Sequence, residues 1–434
     1  MAGNDGDGES YTRPMGRSVD STEHGVDRAS VVLFVSDERG WPRTSGYRRR
    51  TSQLLTAVAD IGPTTWVVAP RNRHDAGDPV VVPAGLADRV TVLHVPAPTR
   101  PRWKTALRWV TTGMPWSLAA GDWRPVDRRL EELAGHRFEL IWAMGIDALL
   151  AVRRADLRAS VTVVDADLES VKLRRQIERG GPTSRLRRAM ALVDQRRWRR
   201  LEHRTAATVT RFSVCSDQER QVLGDNAMTT PNGYPVMPTG PTAREDGDPA
   251  VLLFVGSLTY APNLDGLRWF TTEVLPAVRS RRPDVELRVV GSGGEGLDWL
   301  AAAPGVTMVG QVDELDGELR RASAVVAPIL WGAGTRIKIL EAFAHRVPVI
   351  STTVGAEGLD VGHEHEVMLA DDPARFADDC LRVLQEGELR ERLIERAYET
   401  FVDHYEESSI RHRLTTRLNE LIDSARSTSA TSVQ

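Results

Sequence analysis

The chain has 434 residues, 41% hydrophobic and 27% charged, a globular balance with apolar material for two or three domain cores. Its formal charge of -4 argues against a wholly basic nucleic-acid binder, and its two cysteines, Cys215 and Cys380, cannot build a disulfide framework or a four-thiolate zinc site. No run reaches the ~18 apolar residues of a spanning helix. Residues 1–20 lack the basic-then-apolar order of a secretory signal, so a reducing cytoplasm is the expected compartment.

Residues 1–28 are rich in Gly, Asp, Ser and Thr and predict a disordered tail. The apolar run 31–35 predicts a strand covered on both faces. A loop with Gly40, Pro42 and Gly46 follows, then a helical pattern over 47–59 with Leu54, Leu55 and Val58 on one face. Further strands are expected at 64–69, 90–95, 139–143, 161–164 and 212–215. Residues 171–204 carry twelve basic and three acidic groups and predict one long helix with a basic face. Two readings of it stay open: a solvated surface, or a docking face for a phospholipid leaflet or a phosphate-bearing acceptor.

Pro231-Asn-Gly-Tyr-Pro235 has turn chemistry, and 238–249 has no apolar period. The expected organisation is therefore a first domain over 29–235, a linker over 236–249 and a second domain over 250–404. A C-terminal helix over 405–423 and a loose tail over 424–434 complete it. Charge divides along the same line. Residues 1–240 carry 36 basic and 28 acidic groups, and 241–434 carry 20 and 32. In the second half, strands are predicted at 251–255, 286–290, 306–309, 324–327 and 347–350. Helical patterns follow at 263–279, 374–386, 388–400 and 405–423. Alternating strands and helices make an α/β chain of two Rossmann-like domains with parallel sheets facing a central cleft. In open parallel sheets ligands sit beyond the carboxyl ends of the strands.

Three motifs carry chemistry. Gly291-Ser-Gly-Gly-Glu-Gly296 fits a dinucleotide fingerprint with Asp313 and Glu314 about twenty residues on, but follows the second strand of its domain rather than the first. Asp165-Ala-Asp167 offers two carboxylates, read either as metal ligands or as loop and capping groups. The third, Pro328 to Ala344, joins a strand to a helix through Gly332-Ala-Gly-Thr-Arg-Ile-Lys338. Gly334 lets the backbone approach a ligand, and a helix start near Thr335 would present N–H groups and a positive dipole end to a diphosphate. Arg336 and Lys338 oppose that dipole unless an anion docks there. Glu341, one turn on, can accept two ribose hydroxyls.

That segment, with Val347 to Leu359, resembles the donor-binding domain of the retaining glycosyltransferases of family 4, which have the two-domain GT-B fold. It looks like the subgroup with a Gly-Thr-Arg-x-Lys-x-Leu-Glu-Ala pattern. Phe254-Val-Gly-Ser-Leu258, Pro262-Asn263 and Pro231-Asn-Gly233 resemble further landmarks of the family. The resemblance implies transfer of a sugar from a nucleoside diphosphate sugar, with UDP favoured, with retention and without a bound metal or other cofactor. It casts Arg336 and Lys338 as stabilisers of the leaving diphosphate and Glu341 as the ribose ligand. Gly46, Arg50, Gly256, Gly291, Gly293, Gly334 and Thr335 are cast as the rest of the donor site. The same likeness argues against metal binding at Asp165 and Asp167.

Three positions depart from the family pattern. Ala333 stands where many members carry a sugar-contacting glutamate. Residues 257–264 carry no cation, and no histidine follows the strand ending at Met144. The acceptor is unassigned; a lipid-linked compound, a phosphate-bearing one or a small glycoside is permitted. The basic 171–204 segment allows peripheral contact with the inner membrane face. Competing readings are a nucleotide-sugar epimerase on the same fold and a non-catalytic partner subunit.

Overall fold

The computed structural model describes residues 17–18, 30–43, 45–70, 80–95, 97–178, 184–237, 250–312, 314–332 and 337–431. Among the described residues, nine strands fall in the first half: β1 (Arg17–Ser18), β2 (Val32–Ser36), β3 (Thr64–Val68), β4 (Val81–Val82), β5 (Val90–His94), β6 (Arg137–Met144), β7 (Arg158–Asp165), β8 (Arg211–Val214) and β9 (Ala227–Thr229). Seven of them form a parallel sheet in the order β5-β3-β2-β6-β7-β8-β9, and β1 pairs antiparallel with β4. The second half contributes β10 (Val251–Val255), β11 (Glu286–Val290), β12 (Val306–Gly310), β13 (Ala324–Ala327), β14 (Val349–Ser351) and β15 (Met368–Leu369). These form a second parallel sheet, ordered β12-β11-β10-β13-β14-β15.

The continuous apolar strands have the burial that a sheet covered on both faces requires. In β2, Leu33 and Val35 enter one core while Val32 and Phe34 enter another, because successive side chains point to opposite faces. In β10, Leu252 and Phe254 separate from Leu253 in the same way. Each of the two sheets is therefore a middle layer between helices, the arrangement expected from the alternation of elements.

Three expectations need correction. The basic segment is two helices, Glu169–Glu178 and Arg185–Ala206, packed on one another rather than one long rod. Residues 179–183 between the two helices, which include Gly180-Gly-Pro182, lie outside the described residues. The last helix runs over Glu407–Thr431, so residues 424–431 are helical rather than loose. In the expected N-terminal tail, Arg17–Ser18 form a short strand; the rest of 1–28 lies outside the described residues, as do 238–249 of the linker.

That last helix leaves the second domain and completes the first. Leu414, Leu418 and Ile422 enter the core that contains Val32, Phe34, Leu54 and Trp142. Arg411 makes two hydrogen bonds to Asp60, at 2.5 and 2.6 Å, and Arg43 makes two to Glu407, at 2.7 and 2.8 Å. The two chain crossings between the domains lie side by side. The Tyr234 N–H donates to the Tyr405 carbonyl at 3.0 Å, and the Glu407 N–H donates to the Tyr234 carbonyl at 3.0 Å. Gly233 is required there, since a Cβ would stand 3.0 Å from Glu407 Cα and 3.2 Å from the Tyr405 carbonyl oxygen.

Candidate functional site

The carboxyl ends of β10 and β11 and the helix Ile337–Ala344 converge in the second domain. At the end of β11, a Cβ on Gly291 would fall 1.9 Å from the Gly256 carbonyl oxygen, so only glycine lets these two turns meet. Gly293, with φ +82°, continues the turn, and a Cβ there would meet Thr259. This Gly-rich loop does not open onto a helix at once; the short helix that follows begins at Asp298. It therefore lacks the strand–turn–helix setting of a dinucleotide fingerprint.

Lys338, in the first turn of the Ile337–Ala344 helix, is held in place. Its Nζ donates to Asn263 Oδ1 at 2.9 Å and lies 4.3 Å from the centroid of the Phe254 ring. Asn263 Nδ2 in turn donates to the Ser257 carbonyl at 2.8 Å. Gly256 borders this pair; a Cβ there would sit 3.1 Å from Lys338 Nζ. The Gly256 turn is thus bordered by one ammonium from the Ile337–Ala344 helix, oriented by an amide.

Glu341 stands three residues after Lys338, on the same face of the helix. It is buried, and burial pushes its carboxyl above the usual range, opposed by Arg49, His345 and Lys338. His345 is fixed beneath it, with Nδ1 2.7 Å from the Glu341 carbonyl oxygen and Nε2 3.1 Å from Asp316 Oδ1. Gly334, Thr335 and Arg336, together with Ala333, lie outside the described residues, and so does the expected helix start at Thr335.

The first domain meets this cluster through the helix Gly46–Val58. Ser45 caps that helix, its hydroxyl accepting from the Arg48 N–H at 3.2 Å. A Cβ on Gly46 would come 3.1 Å from Ile337 Cδ1, so the two helix beginnings abut across the cleft. Three consecutive arginines fan out from this first turn because successive helical residues are ~100° apart. Arg48 Nε donates to Glu38 at 3.2 Å. Arg49 crosses the cleft, with Nη2 3.4 Å from Glu341 Oε1 and its guanidinium carbon 4.6 Å from the Tyr234 ring centroid.

Arg50 turns inward, which corrects the expectation that it faces the donor. Its Nε donates to Asp165 Oδ2 at 2.8 Å, and Nη1 donates to the Thr230 carbonyl at 2.9 Å and to Asn232 Oδ1 at 3.0 Å. Burial, the largest single influence, opposes its charge, but Asp165 together with the nearby Cys215 and Asp167 outweighs it and makes the guanidinium more basic than usual. Asp165 also accepts from the Ser213 hydroxyl at 2.6 Å. The Asp165-Ala-Asp167 pair is thereby split. Asp165 is an internal counterion, while Asp167 is exposed and lies with Cys215 and Glu219 in a group whose ligand-type atoms are within 4.8 Å of one another.

The sequence reading missed Arg49, Arg175, Tyr234 and His345. Arg175, from the basic 171–204 segment, donates to the Gly332 carbonyl at 2.7 Å and pairs with Glu357, both in the second domain. The run Arg48-Arg-Arg50 was the available signal for Arg49. Nothing in the one-dimensional pattern distinguished Arg175 from its basic neighbours.

Residues 249–386 match the family model described as "Glycosyl transferases group 1". The phosphatidyl-myo-inositol mannosyltransferase of Mycobacterium tuberculosis strain H37Rv is 32% identical over 193 residues, 41% of this chain and 50% of that protein. An uncharacterised 44.6 kDa protein in the cps region of Klebsiella pneumoniae is 29% identical over 156 residues, 34% of this chain and 40% of that protein. The chain thus spans half or less of the curated relatives it matches. Its overall fold is the GT-B fold. The sucrose-phosphate synthase of Thermosynechococcus elongatus superposes with TM-score 0.69 at 17% identity, covering 91% of this chain and all (100%) of that one. WaaG, a glycosyltransferase involved in lipopolysaccharide biosynthesis, gives 0.59 at 14% identity, covering 89% and 99%. Anabaena HepE in complex with UDP-glucose gives 0.58 at 13% identity, covering 90% and 99%.

Proposed function

We propose that this chain transfers a sugar, with retention at the anomeric carbon, from a nucleoside diphosphate sugar bound in the cleft, UDP-sugars being the favoured donors. The observation that carries this reading is the placement of Lys338 and Glu341. Both rise from one helix beside the Gly256 and Gly291 turns, inside the part of the chain that matches the glycosyltransferase model. A diphosphate at this helix start meets a positive dipole end, the Lys338 ammonium and, two residues earlier in sequence, Arg336. The Lys338 ammonium is already oriented by Asn263, so little reorganisation accompanies the growth of negative charge as the glycosidic bond to phosphate breaks. Glu341 accepts the ribose hydroxyls. Burial raises its affinity for a proton against the opposing charges of Arg49, His345 and Lys338, and hydrogen bonds from two ribose hydroxyls add to the forces favouring the ionised form. The chemistry is electrostatic and needs no resident metal in this reading.

The acceptor enters from the first domain, which lies outside the residues 249–386 that match the glycosyltransferase model. HepE supports the UDP preference through the ligand its structure carries, and the mycobacterial relative supports a hexosyl donor through its name. The test is thermal stabilisation by UDP, GDP, dTDP and ADP, each with magnesium and with EDTA. A ligand selective for the folded state raises the melting temperature by mass action. A shift by one nucleoside diphosphate that survives EDTA is the expected result. A shift that requires magnesium overturns the metal-free mechanism, and the absence of any shift overturns the donor site.

A further inference from the structure

β7 and β8 are parallel neighbours, with Asp165 opposite Ser213 in register. Two residues beyond these positions stand Asp167 and Cys215. The Ala166 N–H still donates to the Ser213 carbonyl at 3.2 Å, so the two chains leave the carboxyl edge of the first sheet side by side. Cys215 Sγ lies 3.5 Å from Asp167 Oδ1. Glu219, in the first turn of the Asp217–Leu223 helix, brings a carboxylate oxygen to the same place. The ligand-type atoms of the three residues lie within 4.8 Å of one another.

Two observations point to a cation among them. The first is Glu219 Oε1. The residue is 7% exposed, and this oxygen is buried without a hydrogen-bond partner, while Oε2 lies 3.5 Å from the Ser216 hydroxyl. Burial first, and then Asp167, oppose its charge, against Arg50 and the nearby backbone N–H groups of Cys215 and Leu168. A buried carboxylate oxygen with nothing to accept from is costly. The second is the sulfur. Asn232 Nδ2 lies 3.9 Å from Cys215 Sγ, and its amide is fixed in that sense because Oδ1 accepts from Arg50 Nη1 at 3.0 Å. An amide N–H turned toward sulfur is the outer-shell contact that suits a metal-bound thiolate. Charge completes the picture. Arg50 is matched by Asp165, which leaves Asp167, Glu219 and the ionisable Cys215 facing one another. A divalent ion would offset two of those three charges and supply the partner that Glu219 Oε1 lacks.

We propose that Asp167, Cys215 and Glu219 bind a divalent transition-metal ion of the zinc class, with water from the exposed Asp167 side as fourth ligand. Zinc bonds of about 2.3 Å to sulfur and about 2.0 Å to oxygen, at a tetrahedral angle, put the two ligand atoms about 3.5 Å apart. Cys215 and Asp167 already have this spacing. Glu219 closes the remaining gap without breaking a hydrogen bond at Oε1. On binding, the Cys215 thiol releases its proton to solvent. Magnesium, which takes oxygen ligands, is selected against by the sulfur. Asp165 is outside the set, since Arg50 and Ser213 engage it, so this is not a carboxylate pair bridging a diphosphate. The ion clips the ends of β7 and β8 to the Asp217–Leu223 helix. The proposal goes beyond the donor reading and does not depend on it.

The test takes the full chain, stripped with EDTA and then freed of chelator, and titrates it with Co²⁺ as a spectroscopic stand-in for zinc. A thiolate-to-cobalt charge-transfer band in the near ultraviolet is expected, saturating at one ion per chain. Zinc should displace it and magnesium should not. Histidines and carboxylates elsewhere give no such band, and the other cysteine, Cys380, is buried in the core of the second domain. Cys215→Ser should abolish the band. Glu219→Gln and Asp167→Asn should each weaken zinc binding, read by competition with cobalt, at least about tenfold. Asp167 is exposed, so Asp167→Asn should keep a metal-free melting temperature near that of the wild type, and its lost affinity then does not come from unfolding. A wild type without the band overturns the proposal, as does a band that survives in Cys215→Ser. Unchanged zinc affinity in both carboxylate variants overturns the ligand set. Stabilisation by nucleoside diphosphates in EDTA, measured in parallel, reports on the donor site separately.

Discussion

Arg49, Arg50 and Lys338 show how strongly environment divides residues of similar charge. Arg50 and Asp165 are 6% and 2% exposed, and each is satisfied by the other and by neighbouring oxygens. Breaking such a pair from one side leaves an uncompensated buried charge. Arg50→Ala should therefore cost about 3–5 kcal/mol of stability, read as a lowered midpoint in denaturant titration. A loss below about 1 kcal/mol would place the pair among weak surface bridges instead. Lys338 is different in kind: it sits in the first turn of its helix and is oriented by the neutral amide of Asn263 and the Phe254 ring. Lys338→Ala should slow transfer by about 100-fold, in line with the loss of one preorganised donor to a developing anion. Its melting temperature without ligand should stay near that of the wild type. Unchanged transfer kinetics in this variant would remove Lys338 from the site.

At the scale of the element, the short helix Asp217–Leu223 at the carboxyl edge of the first sheet couples capping to titration. Ser216 caps it by accepting from the Glu219 N–H at 3.3 Å. The Glu219 side chain is buried there, and burial first, then the nearby Asp167 charge, pushes its pKa from 4.5 to about 7, against the pull of Arg50. A carboxyl whose folded pKa is raised holds its proton more tightly in the folded state. The stability it contributes is fully present below pH 4.5 and is lost as pH rises through about 7. Glu219→Gln removes that titration. Its melting temperature should rise relative to the wild type as pH moves from below 4.5 to above 7, by the equivalent of up to about 3 kcal/mol. A constant difference between the two proteins across this range would refute the shift.

For the whole molecule, the two crossings at Tyr234 and Tyr405–Glu407 make a narrow hinge, and the last helix ties the end of the chain to the first domain. Across the cleft, Arg175 holds the loop that carries Gly332 and pairs with Glu357. Arg175→Ala removes that clasp and leaves both cores untouched. Small-angle scattering should then give a larger mean radius of gyration for the ligand-free protein than for the wild type, with compaction on adding the nucleoside diphosphate. Identical scattering from the two proteins would mean that the clasp does not set the closure of the cleft.

How much was legible in one dimension follows from what each signal reports. Most strands of the two parallel sheets, and the helix that carries Lys338 and Glu341, are legible in apolar runs and helical spacing, both local in sequence. The short strands β9 and β15 were missed, since three and two residues hold no periodicity. The roles of Arg49, Arg50 and Arg175 were decided only in three dimensions. Their carboxylate partners lie 292, 115 and 182 positions away. The same holds for Asp167 and Cys215, 48 positions apart, which meet because β7 and β8 pair. The sequence alone determines that the chain makes two parallel sheets and where glycine lets turns meet closely, because those depend on local sterics and pattern. Only the tertiary structure decides which charges stay available for chemistry, because that depends on what burial and distant partners leave unneutralised.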